Sequence, residues 1–156
     1  MKNLKINKYL VIGVTMFTLI RCKKDFLNQE PNDRITTDNF YQTETDAIAA
    51  VNAAYQPLAN LYNFMWQFGD IMSDDTDTGG GGGGDGASEL ELDNFTVTPF
   101  NGNVNNYWAQ CYQGIQRANI AIEKIPGITN MSEAIRRRSI GEAHFLRGFY
   151  YYSLVR

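Results

Sequence analysis

Histidine is almost missing from this chain: His144 stands alone among 156 residues, and the only cysteines are Cys22 and Cys111. So few soft ligands leave no Cys/His set with zinc spacing. A Ser-His-Asp constellation needs groups converging from separate segments, whereas Ser139 and Ser153 lie on the same predicted helix as His144; that histidine reads as half-buried and structural. The longest apolar run, Tyr9 to Ile20, has about 12 residues, short of the roughly 20 that cross a bilayer as a helix. No second copy of a 34-residue repeat is visible. Acidic residues are plentiful, yet Asp74-Asp75-Thr76-Asp77 lacks the spacing and the distal Glu of an EF-hand, so it reads as a solvated acidic turn. No pair of carboxylates is singled out for glycosidase work.

Glycine is concentrated rather than spread. Six of the 14 glycines are consecutive, Gly79 to Gly84. The run satisfies G-x-G-x-x-G trivially, but no Lys-Ser/Thr follows it and Asp75, Asp77 and Asp85 would repel phosphate, so it reads as a flexible surface loop. Residues 73–100 carry no sustained period; within them the weak alternation of Glu89 to Phe95 predicts a short strand.

The N-terminus is organised for export. Lys2, Lys5 and Lys8 precede the apolar run in the order of a secretory signal. Leu19-Ile20-Arg21-Cys22 resembles the lipobox of bacterial lipoproteins, with Arg21 where a small residue is usual. Cleavage there makes residues 1–21 a signal peptide and Cys22 the lipidated N-terminus. Residues 22–36, polar and interrupted by Pro31, then form a tether. Loss of residues 1–21 removes four basic residues from a chain of net charge −3, leaving −7. An acidic body speaks against nucleic acid as a partner. With Cys22 acylated, Cys111 has no disulfide partner and reads as a small buried apolar residue.

Three helices are predicted in the body. The first opens at Thr43, capped with Asp46, and carries Ala47, Ile48, Val51, Ala54, Tyr55, Leu58, Leu61 and Tyr62 on one stripe; Pro57 predicts a kink, or an end at Gln56. The second covers about 104–125 with the stripe Trp108, Cys111, Ile115, Ala118, Ile122, Ile125, closed by Pro126-Gly127. The third starts at a capping box of Asn130 and Glu133 and runs to the last residues. Arg136-Arg137-Arg138 spans more than half a turn, so most of it faces solvent. This helix has two apolar stripes, Ala143, Leu146, Tyr150, Leu154 and Phe145, Phe149, Tyr152, which predicts packing on two sides. The chain is therefore expected to be the front part of a longer protein. Around the long loop stand Tyr62, Phe64, Trp66, Phe68, Phe95, Phe100, Tyr107 and Trp108, whose rings suit stacking on sugars with carboxylates binding hydroxyls.

Taken in order, the motifs Asp38-Asn39-Phe40-Tyr41, Asp46-Ala47-x-Ala49-Ala50-Val51-Asn52-x-Ala54-Tyr55, Gly69-Asp70-x-x-Ser73-Asp74, Trp108-x-x-x-Tyr112-x-Gly114-Ile115-x-Arg117-Ala118-Asn119 and Gly141-Glu142-Ala143-x-Phe145-Leu146-Arg147-Gly148-x-Tyr150-Tyr151 resemble the N-terminal part of the SusD/RagB family. That resemblance implies a mainly all-α fold of tetratricopeptide-like helix pairs with long loops over residues 37–156. It implies an outer-membrane lipoprotein, anchored through Cys22 and facing outward, that captures oligosaccharides and passes them to a SusC-like TonB-dependent transporter. It implies no catalysis, cofactor or metal. A peptide-capturing RagB-type lipoprotein and a fragment of a glycan hydrolase are the alternatives. The resemblance transfers no ligand contacts; Asp74, Asp75 and Asp77 in the loop are the candidates.

Overall fold

A computed structural model describes residues 40–80 and 84–155. The signal, Cys22 and the tether lie outside the described residues. The rest of the body is α-helical: α1 (Glu44–Trp66), α2 (Ala87–Asp93), α3 (Gly102–Lys124) and α4 (Glu133–Val155), with a π-helical turn at Gln67–Ile71 and a 3-10 turn at Ile125–Gly127. The three long helices have 23 residues each, about 35 Å of axis. Among the described residues, none is long and apolar enough to cross a membrane.

The predicted capping box opens α1. Asp46 Oδ2 accepts the Thr43 N–H at 2.8 Å, and Thr43 Oγ1 accepts the Asp46 N–H at 3.3 Å. The Thr43 hydroxyl also donates to Asp46 Oδ2 at 2.8 Å, and this bond, helped by the Thr43 and Gln42 N–H groups, holds the Asp46 carboxyl below its usual range. Of the two outcomes expected at Pro57, the end at Gln56 does not occur; the helix runs on through the proline to Trp66. A proline removes one backbone donor and leaves the carbonyl four residues earlier without its helical partner. Here that carbonyl, Ala53 O, accepts from Arg117 of α3 at 2.8 Å, and the next, Ala54 O, accepts from the Tyr150 hydroxyl of α4 at 2.7 Å. Neighbouring helices thus repair the interruption.

Contacts fix the directions of the bundle. Asn60 meets Gln110 and Ala53 meets Arg117, so α1 and α3 are antiparallel. Tyr107 donates to Ser153 O at 3.1 Å and Arg147 to Asn119 at 3.1 Å, so α3 and α4 are antiparallel as well, a helix pair joined by residues 125–132. The first and last helices therefore run parallel, each against α3 and in direct contact with one another through Tyr150 and Ala54. Small residues line the inner surfaces: Ala47, Ala54, Cys111, Ala118, Ala121 and Ala143 are fully buried. The tightest crossing is Gly114 of α3, where a Cβ would run into the Tyr150 ring. Burial pushes the Tyr150 phenol up to about 12 and the Cys111 thiol up to about 11.

Other local readings shift. The buried stripe of α3 is Tyr107, Cys111, Gly114, Ile115, Ala118 and Ala121, continued by Ile125; it keeps Cys111, Ile115, Ala118 and Ile125 of the predicted stripe, but Tyr107 and Ala121 stand in for Trp108 and Ile122, and Trp108 is left exposed. The start of α4 is built on Ser132 rather than on Asn130 and Glu133. Ser132 Oγ accepts the Ile135 N–H at 3.4 Å, while the Ser132 N–H donates to Glu44 of α1 at 2.9 Å. That bond holds the Glu44 carboxyl below its usual range. Glu133 pairs instead with Arg137 at 2.9 Å and Arg136 at 3.3 Å. Arg137 and Arg138 are exposed as expected, but Arg136 turns inward and donates to the carbonyls of Ile125, Pro126 and Ile128, closing the C-terminus of α3. His144 is exposed rather than half-buried, with Nδ1 3.2 Å from Arg147.

The predicted strand at 89–95 is helix α2. Ala, Glu and Leu are helix formers and no β-branched residue stands among them, so two alternating leucines carry too little strand signal. Only Leu92 is buried. The helix ends in a Schellman turn: Phe95 N–H donates to Leu92 O at 3.1 Å and Thr96 N–H to Glu91 O at 2.9 Å. The position that wants glycine is Phe95, with φ of 53°.

Candidate functional site

The aromatic supply read from the sequence divides into two sets. Phe68 and Tyr107 pack ring on ring at 4.6 Å between centroids and belong to the core. Trp108, Phe95, Phe100, Tyr62 and Trp66 are exposed. Trp108 is the one placed to hold a ligand, because it stands between two hollows.

The first hollow, about 600 Å³, is lined by Phe68 and Gly69 of the π-turn and Met72 just after it, Val104, Tyr107 and Trp108 of α3, and Ser153 and Leu154 of α4. The second, about 460 Å³, is lined by Val97, Thr98 and Pro99 together with Val104, Asn105 and Trp108. Both volumes fall in the range of small-ligand sites. No lining residue of either carries a charge. Tyr112, one turn along α3, supports the indole from behind at 5.0 Å between ring centroids with 40° between planes.

Four short constraints build this arrangement from the chain. Asn101 caps α3, accepting from Asn103 N–H at 2.9 Å and Val104 N–H at 3.2 Å, which fixes where Trp108 emerges. The three carboxylates of α2 then moor the loop. Glu89 accepts from Asn103 at 2.9 Å and Gln67 at 3.3 Å, Glu91 from Asn101 at 2.8 Å, and Asp93 from the Thr78 hydroxyl at 2.9 Å. Asn105 holds the wall of the second hollow by donating to Pro99 O at 3.1 Å. The π-turn forms the far wall; such turns are frequent at functional sites. Its Gln67 is buried, with Oε1 left without a hydrogen-bond partner among the described residues.

The loop candidates Asp74, Asp75 and Asp77 do not line either hollow. They follow Met72 closely, in a turn where Ser73 Oγ donates to Asp70 O at 2.6 Å. Among the described residues, no three His, Cys, Asp or Glu side chains converge as a metal set. Sequence reasoning missed Val104, Met72, Leu154 and the 97–99 segment. The spacing of Trp108 and Tyr112 at i, i+4 was the available signal, since a ring pair at that distance supports itself without the core.

Residues 25–156 match the SusD-like family described as starch-binding and associating with the outer membrane. This chain belongs to the SusD-like family. SusD-like protein P38 of Formosa agariphila is 31% identical over 99% of this chain and 29% of the relative. SusD-like protein P2 of the same organism is 30% identical over 92% of the chain and 28% of the relative. A SusD-like protein of Bacteroides ovatus is 28% identical over 96% and 27%. The chain thus spans under a third of the length of the curated relatives it matches. No solved structure matches it.

Within this family member the motif residues are mostly framework. Asp46 caps α1, Ala47, Ala50, Val51 and Ala54 line the bundle, Gly114 admits Tyr150, Arg117 repairs the proline site, and Asn119 receives Arg147.

Proposed function

We propose that the chain is part of an outer-membrane lipoprotein that captures oligosaccharides at the cell surface and delivers them to a SusC-like TonB-dependent transporter. Family membership supports a nutrient-capturing role, and the lipobox-like Leu19 to Cys22 supports anchoring through acylated Cys22. Each buried methylene contributes about 0.8 kcal/mol of membrane affinity, so several acyl chains hold the protein effectively permanently.

The observation that carries the glycan reading is the exposed Trp108 ring between two uncharged hollows. A sugar offers an apolar C–H face and a rim of hydroxyls; the indole takes the first, and Thr98, Asn105 and the Gly69 backbone suit the second. Peptide capture is the weaker reading, because the lining residues include no charge to hold a terminus or an ionic side chain. The role needs no catalytic group: binding and release suffice.

The test is binding of the full-length protein to an array of neutral glycans, uronate- and sulfate-bearing glycans, and peptides. Retention of neutral oligosaccharides is expected; selective retention of peptides would replace the reading. Labelled palmitate should enter the wild-type protein and fail to enter Cys22→Ala.

A further inference from the structure

Two stripes of side chains run side by side down the face of the bundle away from α3. On α1 they are Ile48, Asn52, Tyr55, Ala59, Tyr62 and Trp66; on α4 they are Arg138, Glu142, Phe145, Phe149 and Tyr152. Both repeat at alternating steps of four and three. They start together, since Ile48, Asn52, Arg138 and Glu142 line one shallow hollow of about 90 Å³, and they stay together because α1 and α4 are parallel. Tyr55 lies within electrostatic reach of Arg138 and Tyr150, which places it at the junction of the two helices.

The seam is apolar and open. Tyr62, Trp66, Phe145 and Tyr152 are 65%, 51%, 66% and 59% exposed, more aromatic surface than a monomer leaves in one strip without a use. It is also continuous with the interior: Leu58, Phe64 and Phe149 are half-buried and pack on the core cluster of Leu61, Leu146 and Tyr150. A hollow of 90 Å³ is far below the size of a small-ligand site. A step of about 3.5 residues, by contrast, is the signature of a surface covered by another helix at a shallow crossing angle.

We propose that this seam is the seat of a further amphipathic helix, contributed by the polypeptide that lies outside the matched stretch in full-length members of the family. More than two thirds of each relative lies outside that stretch, ample for the purpose. The other side of the α1–α4 pair shows what such a helix must look like. There α3 approaches closely by presenting Cys111, Gly114 and Ala118 to the Tyr150 ring and the alanines of α1. On the seam, Ala59 apart, the large side chains belong to α1 and α4, so the incoming helix carries Ala, Gly or Ser at its 3-4 positions. Its flanks are polar where they meet Asn52, Arg138 and Glu142.

Cysteine accessibility tests this. Tyr62→Cys and Phe145→Cys, made separately in this chain, should react with a maleimide probe at nearly the rate of an unfolded control, after subtraction of the unsubstituted chain. Cysteines at the aligned positions of full-length SusD-like protein P38 should react at least tenfold more slowly while the protein stays folded by circular dichroism. Equal rates in the two proteins would overturn the proposal. Slow reaction in this chain, accompanied by a dimer in light scattering, would overturn it as well, because the occupant would then be a second copy. Neither readout involves a glycan, so failure of the capture role leaves this result standing.

Discussion

The two sides of the α1–α4 pair are built on opposite plans. Toward α3 the closest approaches are made by small residues, alanines, Cys111 and Gly114, and the large Tyr150 ring seats against Gly114 among buried Leu61, Tyr107, Ile115 and Leu146. Away from α3 and around Trp108 the surfaces are large and aromatic, and they are open. Close approach by small residues fixes helix positions to within fractions of an ångström, because an interior at crystal-like density has no room to adjust. Large exposed rings fix nothing in the bundle; they offer area to something outside it. The difference separates framework from recognition surface, and most of the motif residues that mark the family lie on the framework side.

The contrast breaks most readily at Gly114. Gly114→Ala drives a methyl group into the Tyr150 ring, and overpacking of that kind should lower unfolding free energy by about 3 kcal/mol in urea titration. Combining it with Tyr150→Leu should recover part of the loss, giving a coupling above about 1 kcal/mol. Additive losses would mean that the two residues do not share the groove.

Alkaline pH addresses the same side more gently. The Cys111 thiol ordinarily ionises near 9.0 and the Tyr150 phenol near 10.0, and burial raises them to about 11 and about 12. Between those values the unfolded chain releases protons that the folded chain retains, so the unfolded state binds fewer and stability falls as pH rises. The Tm should therefore decline from about pH 9 to about pH 12, and Cys111→Ala should flatten the first part of the decline.

A smaller effect sharpens the recognition side. Phe95 occupies the left-handed position of the α2 Schellman turn at φ of 53°, and glycine is free of that steric cost. Phe95→Gly should raise the unfolding free energy by about 1 kcal/mol in the same urea titration; a loss would show that the exposed ring contributes more contact than the strain it imposes.

The framework was largely legible in the chain. The Thr43/Asp46 box, the stop at Pro126-Gly127 and the stripe of Ala143, Leu146 and Tyr150 are local signals with one physical meaning each. Three readings failed for non-local reasons. Pro57 sits inside a continuous helix because Arg117, from α3, satisfies the Ala53 carbonyl that its ring leaves without a partner, while Tyr150, from α4, donates to the next carbonyl. Trp108 looked like core because its spacing fits the stripe, but Gly114 and Ala121 were not counted, and small residues decide which face of α3 goes inward. Ser132 replaced Asn130 because Glu44, 88 residues away in sequence, receives its N–H. The candidate site was less legible still: its aromatics were named together, and only the fold separates Phe68 and Tyr107 in the core from Trp108 at the rim.

The account turns on Trp108 as a ring free of structural duty and committed to a ligand. Trp108→Ala in the full-length protein, measured by isothermal titration with the best glycan from the array alongside a thermal melt, tests that directly. The account predicts at least tenfold weaker binding with a stability change within about 0.5 kcal/mol, as for other exposed positions. Unchanged affinity, or a loss of binding that follows a loss of stability, would contradict it.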